Sequence, residues 1–461
     1  MTDSGDPDEL GDSGDPDELG DSGDSDELGD SSDPDDPSDS SDPAVDAARE
    51  MDAADPLSDL RDRFFVPDGE LYLDGNSLGP LSVDAEAALD RVVDEWRDLA
   101  IRGWTDADPE WFSYGERLGD RLAPLVGAKP EEVVVANSTT VNIHALVGTF
   151  YDPARGEKIV VDDLDFPTDH YAIRAQLRAA GRDPDEALRV VESRDGRTIE
   201  TEDVLDAVDD DVGMVFLPSV LYRSGQLFDI ETLTEAAHEA GALAGFDLAH
   251  SVGAVPHSLS EVGVDFAVWC HYKYLNAGPG SIAGLYVNER HFGVTPALAG
   301  WWGNDKETQF DMAMTYQPAQ SAGAFQSGTV PVLSAAPLDG ALDIVEDAGG
   351  VTALREKSLA LTDYLIDLVD ERLPECEVGT PRDSATRGGH VAVEHPEAYR
   401  ISLALKERGV VVDFRRPNVV RVAPAPAYVG FEDVYRAVEH FREILDDGEY
   451  EAFERQRGGV T

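Results

Sequence analysis

The sequence predicts an α/β protein: a large domain with a mostly parallel sheet flanked by helices, joined to a smaller α+β domain at the C-terminal end. Three observations carry this. Short apolar runs alternate with helical stretches between residues 133 and 287, the pattern of βα units. The runs are apolar at every position, as in Val133-Val134-Val135-Ala136 and Met214-Val215-Phe216-Leu217, which suits strands covered on both faces. A chain of 461 residues is also too long for one core and implies two folded domains.

Residues 1–45 open with a nine-residue repeat, Gly5-Asp6-Pro7-Asp8-Glu9-Leu10-Gly11-Asp12-Ser13, renewed at Gly14 and Gly23. One Leu per repeat cannot support a core, so a disordered acidic tail is expected. Its Asp-x-Asp spacing lacks the closing Glu of a calcium-binding loop. Residues 46–95 are expected to pack with the small domain, and 82–100 read as an amphipathic helix capped by Ser82. The large domain is expected over 96–340. It holds strands at 133–136, 158–161, 214–217, 243–247, 266–270 and 283–287, with helices at 140–150 and within 226–240. The small domain is expected over 341–461. A helix at 336–348 leads into it, followed by a long amphipathic helix at 352–373 and α+β segments at 389–393, 401–408 and 410–420.

The formal net charge is −58. Residues 1–43 hold 18 Asp and Glu and no Lys or Arg, which leaves about −40 on the remainder, so the acidity is global. It argues against nucleic acid and anionic membranes as partners. Six Lys against thirty Arg, with abundant Asp and Glu, suit a chain adapted to concentrated salt, where self-repulsion is screened. Two cysteines, Cys270 and Cys376, exclude a disulfide framework and a Cys-based zinc site. There is no apolar run of 18 residues, and the N-terminus is acidic, so a soluble cytoplasmic protein is expected.

Lys273 closes the apolar run that begins at Phe266. A lysine at a strand end can simply snorkel to water, but a desolvated lysine is also the standard carrier of a Schiff base. Asp247 closes the run Leu243-Ala244-Gly245-Phe246, at the sheet edge where ligands of open α/β sheets bind. It can cap a helix, or it can pair with a protonated pyridine nitrogen. Ser138-Thr139-Thr140 lies between a strand and a helix, a plain N-cap or an anion site fit for a phosphate. Asn276-Ala277-Gly278-Pro279-Gly280-Ser281 lets backbone approach a ligand but matches no nucleotide-binding glycine motif. His250 and His257 lack a third ligand at zinc-site spacing. Lysine and aspartate together suggest pyridoxal 5'-phosphate (PLP).

Several segments in register resemble the kynureninase family. They are Asn76-Ser77-Leu78-Gly79, Asn137-Ser138-Thr139-Thr140-Val141-Asn142-Ile143-His144, Phe166-Pro167-Thr168-Asp169 and Gly245-Phe246-Asp247-Leu248-Ala249-His250. Tyr272-Lys273-Tyr274-Leu275-Asn276, Gly300-Trp301-Trp302-Gly303 and Arg421-Val422-Ala423-Pro424 complete the set. Order and spacing match from about residue 57 to 445. The resemblance implies PLP fold type I and hydrolytic Cβ–Cγ cleavage of L-kynurenine to anthranilate and L-alanine.

It further implies that Lys273 carries PLP and removes the Cα proton, that Asp247 pairs with the pyridine nitrogen, and that Phe166 lies against the ring. Asp169 and His250 bond around the ring substituents. Thr139, Thr140 and Tyr272 hold the phosphate, and Tyr272 assists proton transfer at Cβ. Trp301 and Thr329 reach in from a second subunit, so the implied enzyme is a homodimer. Arg421 grips the substrate α-carboxylate through a bidentate fork, with Ser77 nearby. Trp104 and Thr329 in the aryl pocket look like the bacterial pattern, and a Trp face offers no partner for a ring hydroxyl, so L-kynurenine is expected over 3-hydroxykynurenine. The rival is another lyase of this fold, such as a cysteine desulfurase-like enzyme, which needs a nucleophilic Cys on an exposed loop.

Overall fold

The strands that read as apolar runs assemble into one seven-stranded sheet. The computed structural model describes residues 43–455, which fall within one compact unit beginning at Pro43. The acidic repeats expected as a disordered tail lie outside the described residues, and Pro43 to Val45 instead begin a helix, Pro43–Ala54.

The sheet contains β2 (Val133–Val135), β3 (Lys158–Asp162), β4 (Leu188–Val191), β5 (Val212–Pro218), β6 (Leu243–Asp247), β7 (Phe266–Trp269) and β8 (Gly284–Val287); the two-residue strand β1 (Leu71–Tyr72) lies outside it. The order is β2-β8-β7-β6-β5-β3-β4. The five strands from β7 to β4 run parallel, whereas β8 is antiparallel to both of its neighbours. Sequence reading missed β4. It is short, lies at the sheet edge and fully buries only Val191, so Leu188-Arg189-Val190-Val191 lacks the continuous apolar signal of the inner strands. Phe150, Phe216 and Phe266 fill one face, with stacked centroids 5.3 Å (Phe150–Phe266) and 6.1 Å (Phe216–Phe266) apart.

A four-stranded antiparallel sheet forms from β9 (Glu377–Val378), β10 (Val391–Glu394), β12 (Asp413–Arg415) and β13 (Val419–Val422). The segment expected at 410–420 is therefore three strands. Its first, β11 (Val410–Val411), leaves this sheet and pairs in parallel with β1. The expected helices at 82–100 and 352–373 are Val83–Leu99 and Val351–Arg372, and Ser82 Oγ accepts the Ala85 N–H at 3.1 Å as its sequence position predicts.

The helix Pro43–Ala54 packs on Phe431–Asp447. Its Asp52 accepts the N–H groups of Phe431 (2.6 Å) and Glu432 (2.9 Å), so a carboxylate from one end of the chain caps a helix at the other. Asp52→Ala is expected to lower unfolding stability by about 1 kcal/mol in denaturant titration, with activity unchanged, because the cap lies away from the sheet edge that carries the site.

Candidate active site

The carboxyl ends of β3, β5, β6 and β7 converge on a cavity of about 300 Å³. β6 delivers Asp247, whose Oδ1 accepts the Ala249 N–H at 2.6 Å. The turn after β7 delivers Tyr272 and Lys273, and Lys273 Nζ donates to His250 Nε2 at 2.9 Å. Burial, then the charges of Lys273 and Arg421, hold His250 well below the usual histidine range, so its ring is neutral and accepts this hydrogen bond. The turn is fixed from outside by Asn76-Ser77-Leu78-Gly79, where Gly79 N–H donates to Tyr272 O at 2.8 Å. A Cβ at Gly79 would lie 1.9 Å from Asn276 Oδ1 and 2.8 Å from Lys273 O, which is why that motif ends in glycine.

Behind Asp247 lies an acidic pocket. After β3 the chain passes Asp165 and Phe166, and Pro167 starts the helix Pro167–Ala179, which turns Asp169 inward on its first turn. Asp165, Asp169 and Asp247 are all buried and interact with one another. Burial and then the neighbouring carboxylates push Asp165 and Asp169 well above the carboxylate range. Burial also raises Asp247, while the Lys273 ammonium pulls it back down. Of the three, Asp247 is the one whose ionised form the Lys273 charge favours.

At the opposite end, Asn137 adopts φ +53° before the helix Thr139–Phe150. Its side chain donates to Asn142 Oδ1 (2.9 Å) and Phe325 O (3.2 Å) and accepts from Ser327 Oγ (2.6 Å). Ser138 makes no side-chain cap, so the first turn presents free N–H groups, with Thr140 Oγ1 2.9 Å from Thr168 Oγ1 beside them. Phe166, 47% exposed, turns its ring edge-on to Tyr222 at 5.4 Å, which leaves a flat face on the cavity. Burial raises the Tyr272 phenol above its ordinary value, next to the Cys270 thiol.

The last wall comes from β12 and β13. Arg421 Nε donates to Asp413 Oδ1 at 2.7 Å, and Nη2 donates to Asp413 Oδ2. Nη1 donates to Tyr222 O (2.6 Å) and Nη2 to Ser77 Oγ (2.9 Å), while Ser77 Oγ–H donates to Asp413 Oδ2 (2.9 Å). Arg415 Nη2 also reaches Asp413 Oδ2, at 2.6 Å.

Of the residues chosen from sequence, Ser77, Thr139, Thr140, Phe166, Asp247, His250, Tyr272, Lys273 and Arg421 line this cavity. Asp169 lies behind its wall. Trp104, Trp301 and Thr329 are not brought to it within one chain. Trp104 packs on Trp111 (5.8 Å) and Trp302 (5.4 Å), Trp301 is 47% exposed against Trp302 and Phe310, and Thr329 is exposed. Sequence reading missed Asp165, Thr168, Tyr222, Asp413 and Arg415. Asp165 and Thr168 adjoin chosen residues. Asp413 and Arg415 had only the hairpin register Asp413↔Arg421 to reveal them.

PLP fits these residues. Neither oxygen of Asp169 has a hydrogen-bond donor apart from the adjoining carboxyls, and His250 Nδ1 has no partner, so the groups around a substituted pyridine ring are waiting for one. Among the described residues no cluster of three His, Cys, Asp or Glu is placed to hold a metal, and no helix is long and apolar enough to cross a membrane.

Fold and site together define a PLP enzyme of fold type I. Solved structures of the same fold include a cysteine desulfurase from Thermococcus onnurineus NA1 (TM-score 0.72, 20% identity, 84% of this chain and 98% of that one). Another is a mutant of C-DES with glycine covalently linked to its PLP cofactor (TM-score 0.72, 16% identity, 83% and 98%). Sequence narrows the class. The chain is 50% identical to the kynureninase of Geobacillus thermodenitrificans over 420 residues, covering 90% of this chain and 98% of that protein. It is 50% identical to the kynureninase of Bacillus thuringiensis over 418 residues, covering 90% and 97%. Residues 354–441 match the kynureninase C-terminal domain. The chain belongs to the kynureninase family.

His257 lies beside this site, its Nε2 2.8 Å from Ser251 Oγ, and burial lowers its pKa from 6.5 to about 4. The unfolded chain therefore takes up this proton first. The contribution of the neutral ring to stability is complete above pH 6.5 and is lost as pH falls towards 4. His257→Gln is expected to flatten the pH dependence of unfolding in that window by up to one proton, about 1.4 kcal/mol per pH unit, in denaturant titrations across it.

Proposed function

We propose that the chain hydrolyses the Cβ–Cγ bond of L-kynurenine, giving anthranilate and L-alanine, with PLP held on Lys273. Family membership at half identity over nine-tenths of the chain supports this reading most. When bound, PLP supplies an electron sink for charge at Cα. Lys273 moves the proton at Cα, and neutral His250 steers its amine. Asp247 would pair with the pyridine nitrogen, with Asp169 behind it. Phe166 would lie against the ring, and Thr139 and Thr140 would hold the phosphate at the helix N-terminus. Tyr272 shares that end and moves a proton at Cβ; a nearby phosphate hydrogen bond suits a phenol that burial keeps protonated. Arg421 and Ser77 hold the α-carboxylate. Because Asp413 occupies the Nε–Nη2 edge of Arg421, the carboxylate meets the Nη end rather than that edge.

The reading includes a homodimer in which Trp301 and Thr329 complete the site of a second copy. Trp104 and Thr329 there shape an aryl pocket that prefers L-kynurenine to 3-hydroxykynurenine. The two sheets support a large domain over 96–340 and a small one over 341–461, with residues 46–95 packed on the latter. A cytoplasmic location and adaptation to concentrated salt complete it, the latter motivated by the charge of −58. The desulfurase-like alternative is disfavoured. Cys270 is buried with its thiol pushed up by burial, and burial raises Cys376 to about 12, so neither offers a reactive thiolate.

The test is anthranilate fluorescence from L-kynurenine and PLP-loaded protein in molar KCl. Wild type is expected to release anthranilate, and Lys273→Ala to lose roughly a thousandfold or more of the rate. A PLP absorbance band without anthranilate would reject the substrate while keeping the cofactor. In the same preparation, the thermal midpoint is expected to rise from dilute to molar KCl, and a midpoint that does not respond would reject salt adaptation.

A further inference from the structure

We infer that Asp413 is a positioning residue that sets how Arg421 recognises the substrate carboxylate, an inference that rests on the kynureninase reading above. The guanidinium is almost fully buried, at 1% exposure, and its donors can be followed individually. Nε and one Nη2 proton go to the two oxygens of Asp413, which closes the side edge of the fork. The other Nη2 bond goes to Ser77 Oγ, and one Nη1 bond to Tyr222 O. Arg421 has five N–H donors, so what it has left for a ligand is the remaining Nη1 proton, together with the Nη2 proton that Ser77 can give up.

The same carboxylate organises the surroundings. Asp413 Oδ2 takes the Ser77 hydroxyl proton and the Arg415 guanidinium, so three cavity-lining side chains are held by one group. Burial opposes ionisation of Asp413, but the charges and hydrogen bonds of Arg421, followed by Arg415 and Ser77, outweigh it and keep the group ionised. Asp74 stands nearby with its carboxyl raised to about 6 by burial and by Asp413, so it adds little negative charge at lower pH. Asp413 bridges the two guanidinium groups, and the donors it leaves on Arg421 are matched to one incoming carboxylate. Without Asp413, Arg421 would regain its side edge and its rotational freedom, and the positive charges would repel each other.

The experiment compares L-kynurenine with its decarboxylated analogue in wild type, Asp413→Asn and Ser77→Ala, all loaded with PLP. The expected result for Asp413→Asn is a KM for L-kynurenine raised about tenfold or more, kcat within about threefold, an unchanged cofactor absorbance band and an unchanged inhibition constant for the analogue. Ser77→Ala removes only the bridging hydroxyl. It is expected to shift KM in the same direction by about two- to fivefold, and it decides the matter if Asp413→Asn fails to fold. Equal weakening of substrate and analogue, a fall in kcat without a change in KM, or no change in either variant would overturn the inference. A wild type that makes no anthranilate would instead bring down the kynureninase reading, and this inference with it.

Discussion

Desolvation at the carboxyl edge of the parallel sheet is the constraint on which the rest of the site depends. Lys273, Asp247, His250, Asp165 and Asp169 lie within or against one cavity, too little hydrated for all to be charged. Lys273 stands beside Asp247 and favours its ionised form, a neutral imidazole accepts from Lys273, and burial and neighbouring carboxylates oppose ionisation of Asp165 and Asp169. An unbalanced buried charge would cost several kcal/mol, so the arrangement is as much a condition of folding as of chemistry. Parallel strand direction then brings these groups together, because every βα unit releases its chain at the same edge.

Much of this could be read from the sequence where burial left a strong mark. Asp247 and Lys273 stand out because each interrupts an otherwise apolar run, and the inner strands declare themselves because both of their faces are covered. Other features carry no such mark. An apolar run says nothing of direction, so the antiparallel setting of β8 could not be read from Gly284-Leu285-Tyr286-Val287. The edge strand β4 is largely uncovered and carries Arg189 in its middle, like a surface segment. Asp413 looks like any acidic residue in an acidic chain until β12 folds against β13 and places it across from Arg421. Trp104, Trp301 and Thr329 were chosen through the family resemblance alone, and one copy of the chain leaves them away from the cavity.

The charge distribution separates two tasks. The remainder of the chain beyond residue 43 still carries about −40, while the cavity gathers Lys273, Arg415 and Arg421. Three cationic side chains are thus gathered inside a strongly negative body. Screening by salt weakens the long-range repulsion of that body far more than the short, buried contacts of Arg421.

The pairing of β1 with β11 has a consequence for how such a protein can be recombined. Leu71 and Tyr72 lie in register with Val410 and Val411, and Asp74 bridges to Ala423, so Ser77 reaches Arg421 across 344 positions of sequence. The wall formed by Ser77, Asp413 and Arg421 is a joint product of both ends of the chain. The C-terminal segment at 354–441, although recognisable on its own, is not a portable cassette. Transplanted into a relative, it would bring its arginines and its aspartate but would borrow the serine and the supporting strand from the host. Chimaeras of this family should therefore be cut so that residues 71–79 travel with the C-terminal part.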